Sequence, residues 1–270
     1  MDSNNHHLVL EVEIKKRIWK RDILTCIESH LESKAQDGVT SLGCAVQRDV
    51  FVDQDNLINS SEPRYSVFRI RTATKVPNRR ALLFDATGNV KLDGGDQSTV
   101  KYVGTVKSPT VLANGIARTD EDEVTLTSET ATQLLTAPSK GLGTYNNPFL
   151  DRVVSRFSLD PTRGVTQSGK YTTIRSKYKM DCWTAIIQSE KGVAETPVLE
   201  LDETIYEFGS AFEIEVETYV PEFVEKLLMD FIKEAGCAEG VTNSVKSKYT
   251  NFLKGNVDGV VLGNGSLQKQ

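Results

Sequence analysis

The stretch that decides the fold is Leu8-Val9-Leu10-Glu11-Val12-Glu13-Ile14-Lys15. Its residues alternate in character, so in a strand they divide into an apolar face of Leu8, Leu10, Val12 and Ile14 and an opposite face of Val9, Glu11, Glu13 and Lys15. The apolar face predicts burial against a core, and the opposite face sets neighbouring side chains about 6.6 Å apart. Two carboxylates at that spacing can converge on one hard cation, while the lysine beyond them can hold an anion. An edge strand with a solvated, charged face is the alternative interpretation.

The composition is that of an ordinary globular protein. The chain has 270 residues, of which 39% are hydrophobic and 26% are charged. This length allows one large domain or two small ones with a proper core. The net charge of −5 argues against a broad electrostatic footprint for nucleic acid. The 32 lysines and arginines still leave room for a local basic pocket.

The spacing of the cysteines and the sequence of the N-terminus indicate the cellular compartment. The four cysteines, Cys26, Cys44, Cys182 and Cys237, are scattered and form no Cys-x-x-Cys pair. We therefore expect neither a disulfide framework nor a zinc site, and a reducing compartment is the default. The polar stretch 1–7 has no apolar signal segment, and no apolar run approaches the roughly 20 residues that span a bilayer. These features predict a cytoplasmic protein without a membrane partner.

Helical periodicity marks three segments. Residues 21–34 and 221–235 repeat apolar side chains at helical spacing, and 244–254 predicts a shorter helix. Pro221 fits the first turn of the second of these helices. Residues 127–170 are rich in Thr, Ser, Gly, Asn and Pro, and are predicted to form a connecting insertion around one short helix.

Charged residues recur on one face of several predicted strands. Three strands carry a Glu-x-Glu pair, and these pairs are Glu11/Glu13, Glu121/Glu123 and Glu213/Glu215. Three others carry basic residues on one face, and these are Arg69/Arg71, Lys101/Lys107 and Arg175/Lys177. One such strand would be solvated surface, but six indicate a sheet with one charged face. An open sheet would expose that face to water, whereas a closed sheet would turn it inward as a polar lumen. The pattern alone slightly favours the open, solvated sheet.

The order of these motifs resembles the CYTH superfamily, whose members are also called triphosphate tunnel metalloenzymes. Glu11-x-Glu13-x-Lys15 matches the ExExK signature of that superfamily, and Phe68-Arg69-Ile70-Arg71 resembles its paired-arginine strand. Three further segments are similar to the plant tripolyphosphatase branch, namely 112–118, 199–209 and 212–218. The resemblance covers most of residues 8–126 and 171–255. The stretch 51–55 only approximates the aromatic-Asp-Thr-Pro turn of the family, and one extra residue near Val111 displaces the match at Lys107.

The resemblance implies an α+β fold, in which an eight-stranded antiparallel tunnel with a charged lumen is flanked by helices. One domain would span 1–255, with 127–170 as an insertion or lid and 256–270 as a flexible tail. The implied metal ligands are Glu11, Glu13, Glu121, Glu123, Asp202, Glu213 and Glu215. The implied phosphate-binding residues are Lys15, Arg69, Arg71, Lys107, Arg175 and Lys248. Lys15, Glu11 and Glu215 are the implied catalytic residues.

The same resemblance implies a function. It predicts hydrolysis of a triphosphate, foremost inorganic tripolyphosphate to pyrophosphate and phosphate, with two Mg²⁺ or Mn²⁺ ions as cofactors. The expected partner is a small anionic triphosphate, and the expected state is a monomer or weak dimer. Alternatives are a thiamine triphosphatase, a nucleoside or RNA 5′-triphosphatase, and a polyphosphate-binding module without catalysis.

Overall fold

Eight long antiparallel strands close into a barrel, in a computed structural model that describes residues 9–58, 66–84, 90–91 and 100–256. The strands in this part of the chain are β1 Val9–Ile18, β2 Val39–Asp53, β3 Val67–Val76, β4 Leu83–Phe84, β5 Val90–Lys91, β6 Lys101–Lys107, β7 Val111–Ala113, β8 Ile116–Leu126, β9 Thr166–Met180, β10 Val198–Tyr206, β11 Gly209–Glu217 and β12 Val241–Asn243. The wall runs β1-β11-β10-β9-β2-β3-β6-β8 and closes where β8 pairs with β1. Strand β12 extends the sheet beside β1, β7 extends it beside β8, and β4 pairs with β5 separately. The predicted α+β barrel is confirmed.

Helices flank this barrel. The α-helices of the described residues are α1 Arg21–Ser33, α2 Ser128–Thr136, α3 Pro148–Phe157, α4 Asp181–Lys191, α5 Pro221–Glu234 and α6 Lys248–Lys254. The predicted helices 21–34 and 221–235 correspond to α1 and α5. Pro221 occupies the first turn of α5, where its missing N–H costs no hydrogen bond. None of the helices in these ranges is long and apolar enough to cross a bilayer.

The main core lies outside the barrel, between the wall and the helices. The outward residues Ile14, Leu201 and Ile214 are completely buried there, together with Leu24 of α1 and Leu228 of α5. Because successive residues of a strand point to opposite faces, the acids between these apolar residues point into the lumen. The closed arrangement therefore holds, and the open, solvated sheet is wrong.

The segment 127–170 is more regular than its composition predicted. It contains α2 and α3, whose N-caps are the side chains of Thr127 and Asn147. Thr and Asn are common in loops, but here they cap helices, because their side-chain oxygens accept hydrogen bonds from backbone N–H groups in the first turn of each helix. Phe149 of α3 packs on Gly104 of β6, where a Cβ atom would lie only 2.9 Å from the ring. The segment thus covers the outer face of the barrel around β6 with a second core.

Short strands occur at two chain reversals beside the barrel wall. Residues 109–115 contain the short strand β7 and a reversal at Asn114-Gly115, where both residues have positive φ. Strands β4 and β5 pair with each other in antiparallel orientation. Residue 8 of the opening stretch and residues 257–270 of the predicted tail lie outside the described residues.

A disulfide joins Cys26 of α1 to Cys237, three residues beyond the end of α5. The prediction of no disulfide is therefore wrong. Sequence spacing failed here because 211 residues separate the two cysteines, and only the packing of α1 and α5 on the same part of the wall brings them together. Cys44 and Cys182 are free thiols.

This disulfide gives the first testable prediction. Cys237→Ser should lower the free energy of unfolding by about 2–4 kcal/mol under oxidising conditions, because the crosslink restricts the unfolded chain. Urea denaturation measures the loss. Cys182→Ser is the control and should leave stability unchanged within error. Thiol titration of the denatured, unreduced protein should give two thiols per chain, and four thiols would contradict the crosslink.

Candidate active site in the barrel lumen

The lumen is a cavity of about 1560 Å³, lined by side chains from every strand of the barrel wall. In a closed antiparallel barrel, the first residues of one strand and the last residues of its neighbours lie at the same end. The start of β1, which contains Glu11, therefore lies at the same end of the barrel as the last residues of β3 and β11. We name this end of the barrel the Glu11 end. At the other end, Tyr249 of α6 packs against Phe51, Tyr171 and Tyr206. We name it the α6 end.

Carboxylates are concentrated towards the Glu11 end. Seven glutamates line the cavity on β1, β8, β10 and β11, and these are Glu11, Glu13, Glu121, Glu123, Glu200, Glu215 and Glu217. Burial and the charge of Glu215 raise the pKa of Glu13 to about 8. Burial, Glu11 and Glu200 raise the pKa of Glu217 to about 7. The carboxylates at this end therefore carry more negative charge than the nearby lysines and arginines neutralise.

Two lysines are held between these acids. The ammonium of Lys107 lies 2.7 Å from a carboxylate oxygen of Glu11 and 2.7 Å from one of Glu121. The ammonium of Lys15 lies 2.7 Å from Glu13 and 2.7 Å from Glu215. Burial opposes the charge of Lys15, but these two acids keep its pKa well above the usual value. Lys15 is thus a fixed cation.

The two arginines of β3 share one acid. Arg71 donates two hydrogen bonds to Asp49, at 2.6 and 2.9 Å, and Arg69 lies 3.7 Å from the same carboxylate. Although burial opposes ionisation, Arg71 and Arg69 keep the pKa of Asp49 at about 2. The carboxylate holds both guanidinium groups against the wall, and Arg69 also donates to Thr105 at 3.2 Å. This pair of arginines faces the acids of β1 and β11 across the lumen.

A second network lies deeper, towards the α6 end. Arg175 donates to Asp202 at 2.8 Å and also pairs with Glu200 and Glu215. Lys248, the first residue of α6, places its ammonium 2.5 Å from Asp202 and 2.5 Å from Glu215. Burial is outweighed by Arg175 and Lys248, which lower the pKa of Asp202. The predicted approach of Lys248 to the tunnel agrees with this geometry.

The predicted acids do not all have the same surroundings. Glu11, Glu13, Glu121, Glu123 and Glu215 line the cavity. Asp202 is completely buried behind its cationic partners, and Glu213 is held by Arg17 at 3.1 Å and Ser244 at 2.9 Å. Asp202 and Glu213 therefore neutralise cations in this arrangement, and their assignment as metal ligands stays a prediction.

Sequence reasoning missed several lumen residues. Asp49 and Gln47 of β2 face inward, but a single acid and a neutral amide gave no paired signal. Glu217 was visible as a third glutamate after Glu213 and Glu215, and Glu200 was hidden by its apolar neighbours. A residue that neutralises a charge on a neighbouring strand is positioned by the register between the two strands. Spacing within one strand therefore does not reveal it.

No protein-family profile matches the sequence, and no curated protein matches it. Among solved structures, the Hippeastrum protein HpAC1 superposes with a TM-score of 0.69 at 25% identity, over 92% of this chain and 97% of that one. HpAC1 is described as an adenylyl cyclase candidate with a dominant triphosphatase activity. The chain is a CYTH triphosphate tunnel protein. An adenylate cyclase candidate from Bacillus halodurans shares the tunnel fold, with a TM-score of 0.53 at 17% identity over 90% of this chain and 98% of that one.

The tunnel has the donors for a divalent cation. Among the described residues, no three His, Cys, Asp or Glu side chains are already arranged as a metal site. The surplus of carboxylate near Glu13 and Glu217 nevertheless matches the oxygen ligands that Mg²⁺ and Mn²⁺ prefer. Mg²⁺ commonly uses only one or two protein carboxylates and takes its remaining ligands from water and phosphate. The residues of the CYTH tunnel therefore fit such an ion.

These raised pKa values predict a pH effect on the metal-free tunnel. Glu13 and Glu217 would hold protons near neutral pH in the folded chain but release them in the unfolded chain, where a glutamate has a pKa of about 4.3. Because the folded state binds more protons, the free energy of unfolding should fall as pH rises from about 5 to about 8. Denaturation in EDTA at several pH values measures this slope. Glu13→Gln should flatten it, and a rise in stability across this window would contradict the assignment.

Proposed function

We propose that this CYTH protein is a divalent-metal-dependent hydrolase that cleaves a phosphoanhydride bond of a triphosphate, with inorganic tripolyphosphate as the foremost substrate. The observation that carries the proposal is the enclosed lumen, in which a wall with Arg69 and Arg71 faces a wall with Glu13 and Glu215. A triphosphate needs several cations, and a metal that bridges to it needs carboxylates on the opposite side. The dominant triphosphatase activity of HpAC1 supports the same class of reaction.

The basic residues would hold the phosphate chain. Arg69, Arg71, Lys107, Arg175 and Lys248 each have a carboxylate within 4 Å, which fixes the direction of the cation before substrate enters. Guanidinium groups bind phosphate through two parallel hydrogen bonds, and their charge stabilises the oxygens that gain negative charge as the phosphoryl group transfers. Positioning of this kind supplies most of the catalysis in phosphoryl transfer.

The acids would serve the metal and the attacking water. Glu11, Glu13, Glu121, Glu123 and Glu215 would hold the metal, with Asp202 and Glu213 as further candidates once their cationic partners turn to phosphate. A bound Mg²⁺ or Mn²⁺ would neutralise phosphate oxygens and lower the pKa of water. Lys15 stays protonated between Glu13 and Glu215, so it would act as a fixed positive charge rather than as a base.

Substrate choice separates the candidate functions. Thiamine triphosphate, nucleoside triphosphates and RNA 5′-triphosphates present the same phosphate chain to the same cations. The net charge of −5 opposes a long nucleic acid, so RNA is the weaker alternative. Inorganic tripolyphosphate needs nothing beyond the charged side chains of the lumen, and for this reason we place it first.

A panel of metals and substrates tests the proposal. Phosphate release should be measured from tripolyphosphate, ATP and thiamine triphosphate, each with Mg²⁺, with Mn²⁺ and with EDTA. We expect release to require metal and to be fastest with tripolyphosphate. Metal-dependent binding without any release would favour the polyphosphate-binding module, and a preference for ATP or thiamine triphosphate would replace the foremost substrate.

Two substitutions test the roles of the walls. Glu11→Gln should reduce kcat more than about 100-fold, which exceeds the effect of a merely supporting residue of a metal site. Arg71→Lys should raise KM about tenfold while changing kcat less, because a lysine keeps the charge but loses the paired hydrogen bonds. Steady-state kinetics on tripolyphosphate distinguish the two effects.

A matched control comes from the same sheet. Arg48 lies on the outer face of β2 and is exposed, so Arg48→Lys should leave both kinetic constants unchanged. Circular dichroism should confirm that all variants are folded. Normal turnover in Glu11→Gln would contradict the proposed role of β1 in metal binding. A normal KM in Arg71→Lys would contradict the proposed role of β3 in phosphate binding.

A further inference from the structure

Two lysines at the Glu11 end have no part in the charge pairing of the lumen. Lys75 is the second-last residue of β3, and Lys101 is the first residue of β6. Both line the cavity and both are exposed. Neither makes an ion pair or a side-chain hydrogen bond with any residue of the described ranges. The lumen cations Arg71, Lys107 and Arg175, by contrast, all have acidic partners.

The strand register puts these lysines in line with the arginines of the phosphate wall. Arg69, Arg71 and Lys75 lie on the same face of β3, and Lys101 pairs with Ala73 between Arg71 and Lys75. At a rise of about 3.3 Å per residue, Lys75 lies about 13 Å along the strand from Arg71. Positive charge therefore continues from the phosphate wall to the rim.

Aromatic rings obstruct the α6 end. There the rings of Phe51, Tyr171 and Tyr249 pack together, and the chain around Gly169 is covered by Phe252. A phosphate chain held by Arg69 and Arg71 and too long for the lumen would avoid these rings by extending towards the Glu11 end. The groups it would meet at the β3–β6 side of that rim are the ammonium groups of Lys75 and Lys101.

We propose that Lys75 and Lys101 form a further anion subsite, which binds the fourth and later phosphates of a linear polyphosphate whose first three occupy the lumen. This inference rests on the proposed function, because it requires a triphosphate unit in the tunnel. It adds a substrate class, namely phosphoanhydride chains longer than a triphosphate. The attraction is that of exposed ammonium groups for phosphate, so it is screened by salt.

The test compares polyphosphates of different length. Dissociation constants for inorganic tripolyphosphate, inorganic tetraphosphate and a longer inorganic polyphosphate should be measured by calorimetry on the full chain with Mg²⁺, at low and high salt. In the native protein we expect affinity to rise with length at low salt. Lys75→Ala/Lys101→Ala should raise the dissociation constant of the longer chains about tenfold. Each exposed pair of lysine and phosphate changes the affinity by up to roughly a factor of five, and two such pairs are lost. Affinity for tripolyphosphate should change less than twofold.

A matched control comes from the α6 end. Lys254 of α6 also lines the cavity and is exposed, and Lys254→Ala removes the same charge without touching the rim at β3 and β6. It should leave the dependence on length intact. The affinity for adenosine tetraphosphate should also be measured. If Lys75→Ala/Lys101→Ala weakened the binding of this nucleotide alone, the subsite would bind a nucleotide rather than an inorganic chain.

The possible failures are distinguishable. Equal weakening of tripolyphosphate and longer chains in Lys75→Ala/Lys101→Ala, or no gain of affinity with length in the native protein, would overturn the subsite alone. Absence of binding for every polyphosphate would overturn the proposed function and the subsite together. Binding of tripolyphosphate that depends on Arg71, without any dependence on length, would leave the proposed function standing.

Discussion

Closure of the sheet is the constraint on which the rest of the structure depends. Strand β1 pairs with β11 along one edge and with β8 along the other, so the polar faces of all eight wall strands look at one another. In an open sheet, Glu13 and Arg71 would be ordinary surface residues, and their charges would be screened by water. Enclosure converts them into a pocket in which each charge acts on the others at low dielectric. Function in this protein is therefore a property of the topology before it is a property of any one residue.

Enclosed charge is costly, and the two ends of the lumen meet that cost differently. Towards the α6 end, Arg175 and Lys248 are matched by Asp202 and Glu215, so the buried charges compensate one another. Towards the Glu11 end, acids outnumber their cations, and the raised pKa values of Glu13 and Glu217 report the imbalance. A lumen built only for stability would not retain like charges at this density. The imbalance marks where an external cation would be most favourable.

The sequence predicted the faces of strands better than the contacts between them. Alternation in β1 and β11 correctly separated Ile14 and Ile214, which are core, from Glu13 and Glu215, which are lumen, because the period of two is local. The choice between an open and a closed sheet was not local, and it needed the resemblance of ordered motifs. Asp49 and the Cys26–Cys237 disulfide escaped prediction because their partners are distant in sequence. In 127–170 the one predicted short helix corresponds to α3, whereas α2 escaped because its cap, Thr127, is also a loop former.

The dense pairing of the lumen has a consequence for how ligands bind. A phosphate chain alone would approach cations whose acids repel it, and a metal ion alone would approach acids whose cations repel it. In the proposed function, the phosphate oxygens would take over Arg69, Arg71 and Lys107, and the released carboxylates would become available to the metal. Each ligand would then lower the cost of binding the other, and such coupling is reciprocal by thermodynamic necessity. A lumen whose charges are already paired would thus favour a complex of metal and phosphate chain over either component, which is the selectivity that the proposed hydrolysis requires.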